Sequence, residues 1–309
     1  MRARPLVLVL SAILGLSVAG QAAAQFSWPV LPFTAKPKNA APKAPRAKRN
    51  QDPVAAAAQA WRPADAENTL VIDTNKGRII VELVPVAAPA HVERVKTLAR
   101  RGFYNNRTFF RVIDEFMAQT GDPQDNGMGQ SELPNLAPEF TFQRSREVPF
   151  ASISPGNVAA PVGFVGVLPV KTQPDGMMAL MASGRVPAQG LFCPGVIGMA
   201  RSEAPDTGNS QFFLMRAATP ELNGAYTAFG RVISGLDVVR SLKTGEPVPA
   251  PQDRMTTVRI LADMPAGERP DIQVWRTDTP SFQAMAAAEA AAGGADFDIC
   301  DLEIGVAVR

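Results

Sequence analysis

The sequence predicts a mainly β fold with a few short helices. Short apolar runs recur between residues 66 and 264, and Gly, Pro and Asn residues separate them. Many short strands joined by such turns are typical of an antiparallel barrel or sandwich. The chain has 309 residues, of which 46% are hydrophobic and 19% are charged. This composition favours one large domain with appended segments over two domains of equal size.

The N-terminal 24 residues have the pattern of a secretory signal peptide. Arg2 and Arg4 precede an uncharged apolar run over residues 6–18, and Ala22, Ala23 and Ala24 follow as small residues suited to cleavage. The run is too short to span a bilayer comfortably. We therefore expect cleavage after Ala24, no stable membrane span in the mature chain, and a periplasmic or secreted location.

Residues 25–65 are rich in Pro, Ala and Lys and are predicted to form an extended linker. Contact between its basic residues and an anionic membrane surface is the alternative. Removal of the signal peptide takes away two arginines and no acid, so the formal net charge falls from +2 to zero. The mature chain has no overall basic character, and no nucleic-acid partner is expected.

Local patterns predict the individual elements. Residues 70–72 and 79–81 are β-rich runs around Asn75-Lys76-Gly77, which predicts a hairpin. A helix is expected from Pro89 to the cap at Gly102, and a second over 235–242, because apolar residues recur there at helical spacing. Further strands are expected around residues 108–113, 116–119, 196–200, 212–215, 227–232 and 256–262.

Several of these runs resemble one known family. They are 109–113 (FFRVI), 116–119 (FMAQ), 195–201 (GVIGMAR), 208–213 (GNSQFF), 222–224 (LNG) and 228–232 (AFGRV). In this order they closely resemble the cyclophilin-type peptidyl-prolyl cis-trans isomerases, over about residues 70–262. The resemblance implies a closed eight-stranded antiparallel barrel capped by two helices, with a substrate groove on its outer face.

The same comparison divides the rest of the chain. The isomerase domain is expected over 66–264, with a large insertion at about 147–192, where the family has only a short connection. Met177, Met178 and Met181 lie in this insertion and either form an adaptable binding surface or pack it onto the domain. Residues 265–309 are a C-terminal extension with a short helix expected over 281–292.

The resemblance also implies site residues. Arg111 matches the catalytic arginine, and Phe110 stands before it where the family has histidine. The other matches are to the proline-ring pocket (Phe116, Met117, Phe213 and Leu222), to polar groups beside the peptide (Gln119 and Gln211), to the segment that pairs with the substrate main chain (Ala200 and Arg201), and to the groove rim (Tyr226).

The expected reaction needs no cofactor, metal or nucleophile. Rotation about an Xaa-Pro bond breaks amide resonance against a barrier of about 20 kcal/mol. The nitrogen of the twisted amide accepts a hydrogen bond better than that of a planar amide, so a guanidinium favours the twisted state. The predicted function is therefore a peptidyl-prolyl isomerase that acts on unfolded or partly folded Pro-containing polypeptides of the envelope. The alternative is a chaperone or peptide-docking module of the same fold with little turnover.

The few cysteine and histidine residues exclude other chemistries. Cys193 and Cys300 are the only thiols and His91 is the only histidine, so neither a zinc cluster nor a Cys-His dyad is expected. His91 is interpreted as an exposed or N-terminal residue of the first helix. The sequence leaves open whether Cys193 and Cys300 pair in a disulfide.

Overall fold

The structure is a computed structural model that describes residues 60–154 and 158–309. The predicted signal peptide and residues 25–59 of the predicted linker lie outside the described residues. The strands are β1 (Trp61–Pro63), β2 (Thr69–Thr74), β3 (Gly77–Leu83), β4 (Arg111–Ile113), β5 (Met117–Thr120), β6 (Phe142–Arg144), β7 (Ala151–Ser152), β8 (Val162–Val165), β9 (Leu168–Thr172), β10 (Val186–Gly190), β11 (Val196–Met199), β12 (Phe212–Met215), β13 (Ala228–Ser234), β14 (Met255–Ile260), β15 (Ile272–Trp275) and β16 (Val306–Val308). The α-helices are α1 (Pro89–Arg100), α2 (Leu236–Ser241) and α3 (Pro280–Gly293).

An eight-stranded antiparallel sheet forms the centre of the fold, in the order β14-β2-β3-β13-β11-β12-β5-β4. The sheet is curled, and the expected closed barrel is not confirmed. The outer edge of β4 is occupied because Val112 pairs with Gly245 in the loop after α2. An isolated bridge between Thr108 and Arg254 joins the segment before β4 to the residue before β14. The sheet is therefore a curled half-barrel.

The β2–β3 hairpin forms where the sequence predicts it, with Thr74 opposite Gly77. Gly77 adopts φ +137°, a backbone region that glycine enters without the steric cost of a Cβ atom. A longer side chain at this position would also approach Val238 of α2, because a Cβ atom would lie 3.0 Å from its methyl group. The turn and the second helix thus depend on the same glycine.

The two faces of the curled sheet bury different apolar cores. Because successive strand residues point to opposite faces, Val112 and Ala118 belong to one core and Met117 belongs to the other. The core that contains Val112 and Ala118, called the inner core, also includes α1 and residues from all eight strands. The core that contains Met117, called the outer core, joins the other face of the sheet to the insertion and to the C-terminal extension. The outer face is therefore largely covered by segments outside the eight-stranded sheet.

The insertion has a sheet of its own, in the order β6-β10-β9-β8-β7. Arg144 is buried in it, and its guanidinium donates to Asp175 at 2.6 Å and lies 4.7 Å from the centre of the Phe150 ring. A buried arginine costs free energy unless its donors find partners, which these contacts supply. The small sheet is thus held together by polar as well as apolar contacts.

The C-terminal extension forms a third sheet, in the order β1-β15-β16, together with α3. The predicted linker therefore ends earlier than residue 65, because Trp61 pairs with Trp275 and stacks on it at 6.3 Å between ring centres. Phe282 of α3 packs edge-to-face on Phe164 of the insertion at 5.5 Å. Among the described residues, none of the helices combines the length and the apolar character that a bilayer crossing requires.

A disulfide joins the end of the insertion to the C-terminal extension. It links Cys193 to Cys300 with their Cα atoms 4.9 Å apart. The buried Arg231 of β13 reinforces this junction, because its guanidinium donates to the Pro194 carbonyl and to the Leu302 carbonyl, both at 3.2 Å. Insertion, extension and central sheet therefore meet around the disulfide.

The N-terminus of α1 is capped by a carboxylate from another part of the chain. Ala88 provides no side-chain cap, and the Ala90 and His91 backbone N–H groups donate to Glu139 instead, at 3.2 and 3.1 Å. The His91 ring is buried and its Nδ1 lies 2.7 Å from the same carboxylate. His91 is thus N-terminal in the helix, as one of the two expectations had it, and its ring is not exposed.

This cap predicts an acid-sensitive contribution to stability. Burial raises the pKa of Glu139, but hydrogen bonds from the His91 ring and backbone outweigh it and hold the pKa below its ordinary value. The contribution is therefore present above the unfolded-state pKa of about 4.3, and it is lost as pH falls through the folded-state pKa. We expect Glu139→Gln to lower the free energy of unfolding by about 1–2 kcal/mol at neutral pH.

Urea unfolding of both proteins at neutral pH and at about pH 3 measures this effect. The difference between them is expected to shrink in acid, and a difference of constant size would contradict the cap's role. Glu132→Gln is the matched control, because Glu132 is exposed and its carboxylate pairs with the exposed guanidinium of Arg101 at 2.8 Å. Its effect should stay below about 1 kcal/mol.

Candidate active site

Strand register places four residues in one row across the outer face of the sheet. Arg111 on β4 is opposite Gln119 on β5, Gln119 is opposite Phe213 on β12, and Phe213 is opposite Gly198 on β11. Directly opposed residues of antiparallel strands point to the same face. The sheet therefore brings together side chains that are up to 102 residues apart, as the numbers 111 and 213 show.

A chain of polar contacts holds the arginine end of this row. The Arg111 Nε donates to the Glu246 carboxylate at 2.6 Å, and its Nη1 donates to Gln119 Oε1 at 3.2 Å. Gln119 Nε2 donates to Gln211 Oε1 at 2.9 Å, and Gln211 donates to the Gly129 carbonyl at 2.7 Å. In the described part of the chain these contacts use Nε and Nη1 of the guanidinium, which leaves the Nη2 amino group for a ligand.

The guanidinium remains accessible although it is held on two sides. The Arg111 side chain is 29% exposed and Glu246 is more exposed still. An arginine fork fixed by two partners loses less rotational freedom when it meets a ligand. The row thus presents an oriented cation at the edge of an apolar surface.

The predicted pocket residues converge in the outer core, but three of them are covered. Met117, Phe213 and Leu222 are only 1%, 5% and 4% exposed. Phe116 and Tyr226 are partly exposed and pack against the same cluster. The accessible apolar surface is therefore narrow, with buried residues as its floor and the two partly exposed rings beside it.

Aromatic contacts arrange this floor. The Phe213 ring meets Tyr226 edge-on at 5.9 Å between centres, and it stacks on Phe192 at 5.8 Å with an interplanar angle of 29°. The Arg201 guanidinium lies 4.5 Å from the centre of the Tyr226 ring and 5.7 Å from that of Phe140. Such pairs stabilise ring orientations beyond their buried area. Tyr226 is thus held between Arg201 and Phe213.

The segment expected to meet a substrate main chain follows β11. The Ala200 N–H donates to the Gln211 carbonyl at 2.9 Å, so it is already used within the protein. The Arg201 side chain donates to the Ala225 carbonyl, which ties this segment to the loop that carries Tyr226. Among the described residues, the Ala200 carbonyl and the Arg201 backbone are the groups left to meet a peptide.

Sequence reasoning missed two residues at the site, Glu246 and Phe192. Glu246 follows α2 and lies 135 residues from Arg111 along the chain. Phe192 belongs to the insertion, which the resemblance does not cover. The one local signal for Phe192 is its position beside Cys193, since a disulfide at the end of an insertion fixes its neighbours.

One cavity in the described part of the chain has none of the four residues of this row in its lining. It measures about 390 Å³ and lies in the insertion, lined by Ser145, Arg146, Glu147, Met178, Ala179, Ser183, Gly184 and Arg185. We assign the candidate site to the row of opposed residues because a narrow groove on a sheet face need not form a deep cavity.

Known proteins match the part of the chain that carries this row. The model of the cyclophilin type peptidyl-prolyl cis-trans isomerase/CLD family matches residues 69–262. A Brucella suis protein named "Probable peptidyl-prolyl cis-trans isomerase" is 38% identical over 192 residues, which cover 61% of this chain and 78% of that protein. The Aspergillus oryzae "Peptidyl-prolyl cis-trans isomerase-like 1" is 30% identical over 198 residues, 63% of this chain and 96% of that protein.

A solved structure matches beyond the central sheet. The cyclophilin AquaCyp293 from Hirschia baltica superposes with a TM-score of 0.73 at 33% identity, and the match covers 80% of this chain and 93% of that one. The family model alone spans more than half of the chain. The chain therefore belongs to the cyclophilin-type peptidyl-prolyl cis-trans isomerases.

Proposed function

We propose that the chain accelerates cis-trans rotation of Xaa-Pro bonds in folding envelope proteins, with Arg111 stabilising the twisted amide. The observation that carries this proposal is the row in which an oriented guanidinium lies beside apolar side chains. In this proposal Gln119 and Gln211 hold the arginine and the peptide. Phe116, Met117, Phe213, Leu222 and Tyr226 contact the proline ring, and Ala200 and Arg201 meet the peptide main chain.

The energetics of the row suit a non-covalent mechanism. A charge-assisted hydrogen bond of about 1.5–3 kcal/mol, made only to the twisted amide, accelerates rotation about ten- to a hundredfold. Tight contact with the proline ring and exclusion of water supply the remaining acceleration. The low exposure of Phe213 and Leu222 supports the second contribution, since water has little access to them.

Export completes the proposed setting of this activity. The basic start, apolar run and small residues of the first 24 positions support secretion. The Cys193–Cys300 disulfide agrees with an oxidising compartment.

If the signal is cleaved after Ala24, the protein recovered from the cell envelope begins at Gln25, and N-terminal sequencing will read that residue. An intact Met1 or Arg2 start on envelope protein would contradict the cleavage.

The direct test is exchange NMR of an Xaa-Pro peptide with the purified protein. Catalysis appears as cis-trans exchange far faster than the uncatalysed time of about 10–100 s. The assay uses the oxidised mature chain, and the same protein unfolded in denaturant is the blank. Absence of acceleration by folded protein would overturn the isomerase proposal.

A docking module with little turnover is the second candidate, and one observation favours it. Met117, Phe213 and Leu222 are nearly covered by the outer core, so a proline ring has limited room. The same NMR titration separates the two candidates. Peptide shifts without faster exchange favour docking, whereas faster exchange at substoichiometric protein favours the isomerase.

A further inference from the structure

Phe192 lies behind the proposed proline pocket, although it belongs to the insertion. It is buried and stacks on the Phe213 ring at 5.8 Å between centres. Both rings lie over Gly198: a Cβ atom at that position would come within 2.5 Å of Phe213 and 2.7 Å of Phe192. The glycine therefore makes the space that the two rings share, and the Phe192 ring limits how far Phe213 can move back.

The backbone of Phe192 also holds the segment that carries Leu222. The Thr219 N–H donates to the Phe192 carbonyl at 2.9 Å, and the Phe192 N–H donates to the Asn223 side-chain oxygen at 2.8 Å. Leu222 lies between these two attachment points, in the short 3₁₀ helix Pro220–Leu222. Phe192 thus contacts Phe213 through its ring, and its backbone holds the residues on either side of Leu222.

Phe192 is itself anchored by the C-terminal extension. Its neighbour Cys193 is buried and bonded to Cys300. The Arg231 guanidinium donates to the Pro194 carbonyl, one residue after Cys193, and to the Leu302 carbonyl, two residues after Cys300. The position of Phe192 therefore depends on contacts between the insertion and the extension as well as on the central sheet.

We propose that Phe192 is a positioning residue for the isomerase reaction: it sets the depth of the proline pocket, and the Cys193–Cys300 disulfide holds it in place. The proposal rests on the proposed assignment of Phe213 and Leu222 to that pocket. In this arrangement the pocket accepts the five-membered proline ring and excludes larger rings, because Phe213 cannot retreat while Phe192 stands behind it. Removing the Phe192 ring should let Phe213 move back and deepen the pocket.

The test compares two peptides that differ by one ring methylene, Xaa-Pro and the same sequence with pipecolic acid. One methylene in an apolar pocket changes kcat/KM by about 10–200-fold, so the wild type should prefer proline by at least about tenfold. Phe192→Ala should lose most of this preference, with lower kcat/KM for proline. Phe192→Leu, which keeps part of the side chain, should fall between the two proteins.

Phe282→Ala is the matched control. Phe282 is equally buried in the same outer core, but its aromatic pairs among the described residues are with Phe164 and Trp275. A general loss of packing would change both variants alike, whereas the ring preference should change only at Phe192. Equal ring preference in wild type, Phe192→Ala and Phe192→Leu would overturn the proposal.

A further comparison tests the role of the disulfide. It measures the ring preference of the intact chain before and after mild reduction, and that of the double variant Cys193→Ser, Cys300→Ser. Both should shift the ring preference in the same direction as Phe192→Leu, by about two- to fivefold as a partial loss of the one-methylene discrimination. An unchanged preference would overturn the anchoring role of the disulfide. A wild-type protein with no activity on either peptide would instead refute the isomerase function, so the two failures are distinguishable.

Discussion

Replacement of Arg111 by alanine is expected to lower kcat/KM for an Xaa-Pro peptide about ten- to a hundredfold. The guanidinium binds the twisted amide more tightly than either planar form, so its removal raises the barrier and leaves ground-state binding nearly unchanged. The loss should therefore appear mainly in kcat. Exchange NMR at several peptide concentrations measures both parameters.

The lysine variant separates charge from geometry. Lysine carries the same charge on a flexible stem, and it lacks the fork that lets Arg111 meet Glu246 and Gln119 while a third amino group stays available. We expect Arg111→Lys to recover only a small part of the lost activity. Full activity in the lysine variant would show that a positive charge suffices and that the held fork is unimportant.

The arginine variants need a control for surface charge. Arg101 is an exposed arginine whose ion pair with Glu132 lies outside the row, so Arg101→Ala should keep wild-type kcat and KM. Because the Arg111 side chain is partly exposed, its loss should change the free energy of unfolding by less than about 1 kcal/mol. Wild-type kcat/KM in the Arg111→Ala protein would refute the assigned role even if the chain proves to be an isomerase.

Removal of the disulfide is expected to cost about 3–5 kcal/mol of unfolding free energy, since it closes a loop of about a hundred residues. Cys193 and Cys300 are 107 positions apart in the sequence. The cross-link restricts the unfolded chain, so its loss raises the entropy of that state. Denaturant unfolding of the paired serine variant, compared with oxidised wild type, measures the effect.

Two comparisons make this measurement specific. A reductant should lower the unfolding midpoint of wild type towards that of the serine variant, and it should leave the serine variant unchanged. The Arg231 contacts with Pro194 and Leu302 remain in the variant, so the extension should stay docked in the folded state. Equal midpoints for oxidised wild type and the serine variant would contradict the stabilising role of the disulfide.

Local signals in the sequence predicted the local elements well. The turn glycine and the flanking β-rich runs indicated the β2–β3 hairpin, and apolar spacing after Pro89 indicated α1. A helix was expected over 281–292, and α3 runs over Pro280–Gly293. Each of these patterns depends on residues a few positions apart, whose backbone preferences act without the rest of the fold. The resemblance supplied the family and the candidate residues of the row.

Contacts between distant segments were beyond the reach of these signals. The outer edge of β4 pairs at Val112 with Gly245, and the sheet is curled, whereas the resemblance implies a closed barrel. Trp61 pairs with Trp275, which lies more than two hundred positions further along the chain. The first strand therefore lies within residues 25–65, which the sequence predicts to be linker. Such pairings depend on complementary shape and burial, which a run of residue types does not encode locally.

The candidate site also combines residues that the sequence indicated with contacts that only the tertiary structure shows. The sequence by itself determined that a cation, two amides and several apolar rings belong to one family pattern. Only the tertiary structure decided that Glu246 and Gln119 hold Arg111 in its position, and that Phe192 of the insertion lies behind Phe213. The reason is physical: strand register and the packing of the outer core bring these groups together, and both arise only when distant parts of the chain bury their apolar surfaces against each other.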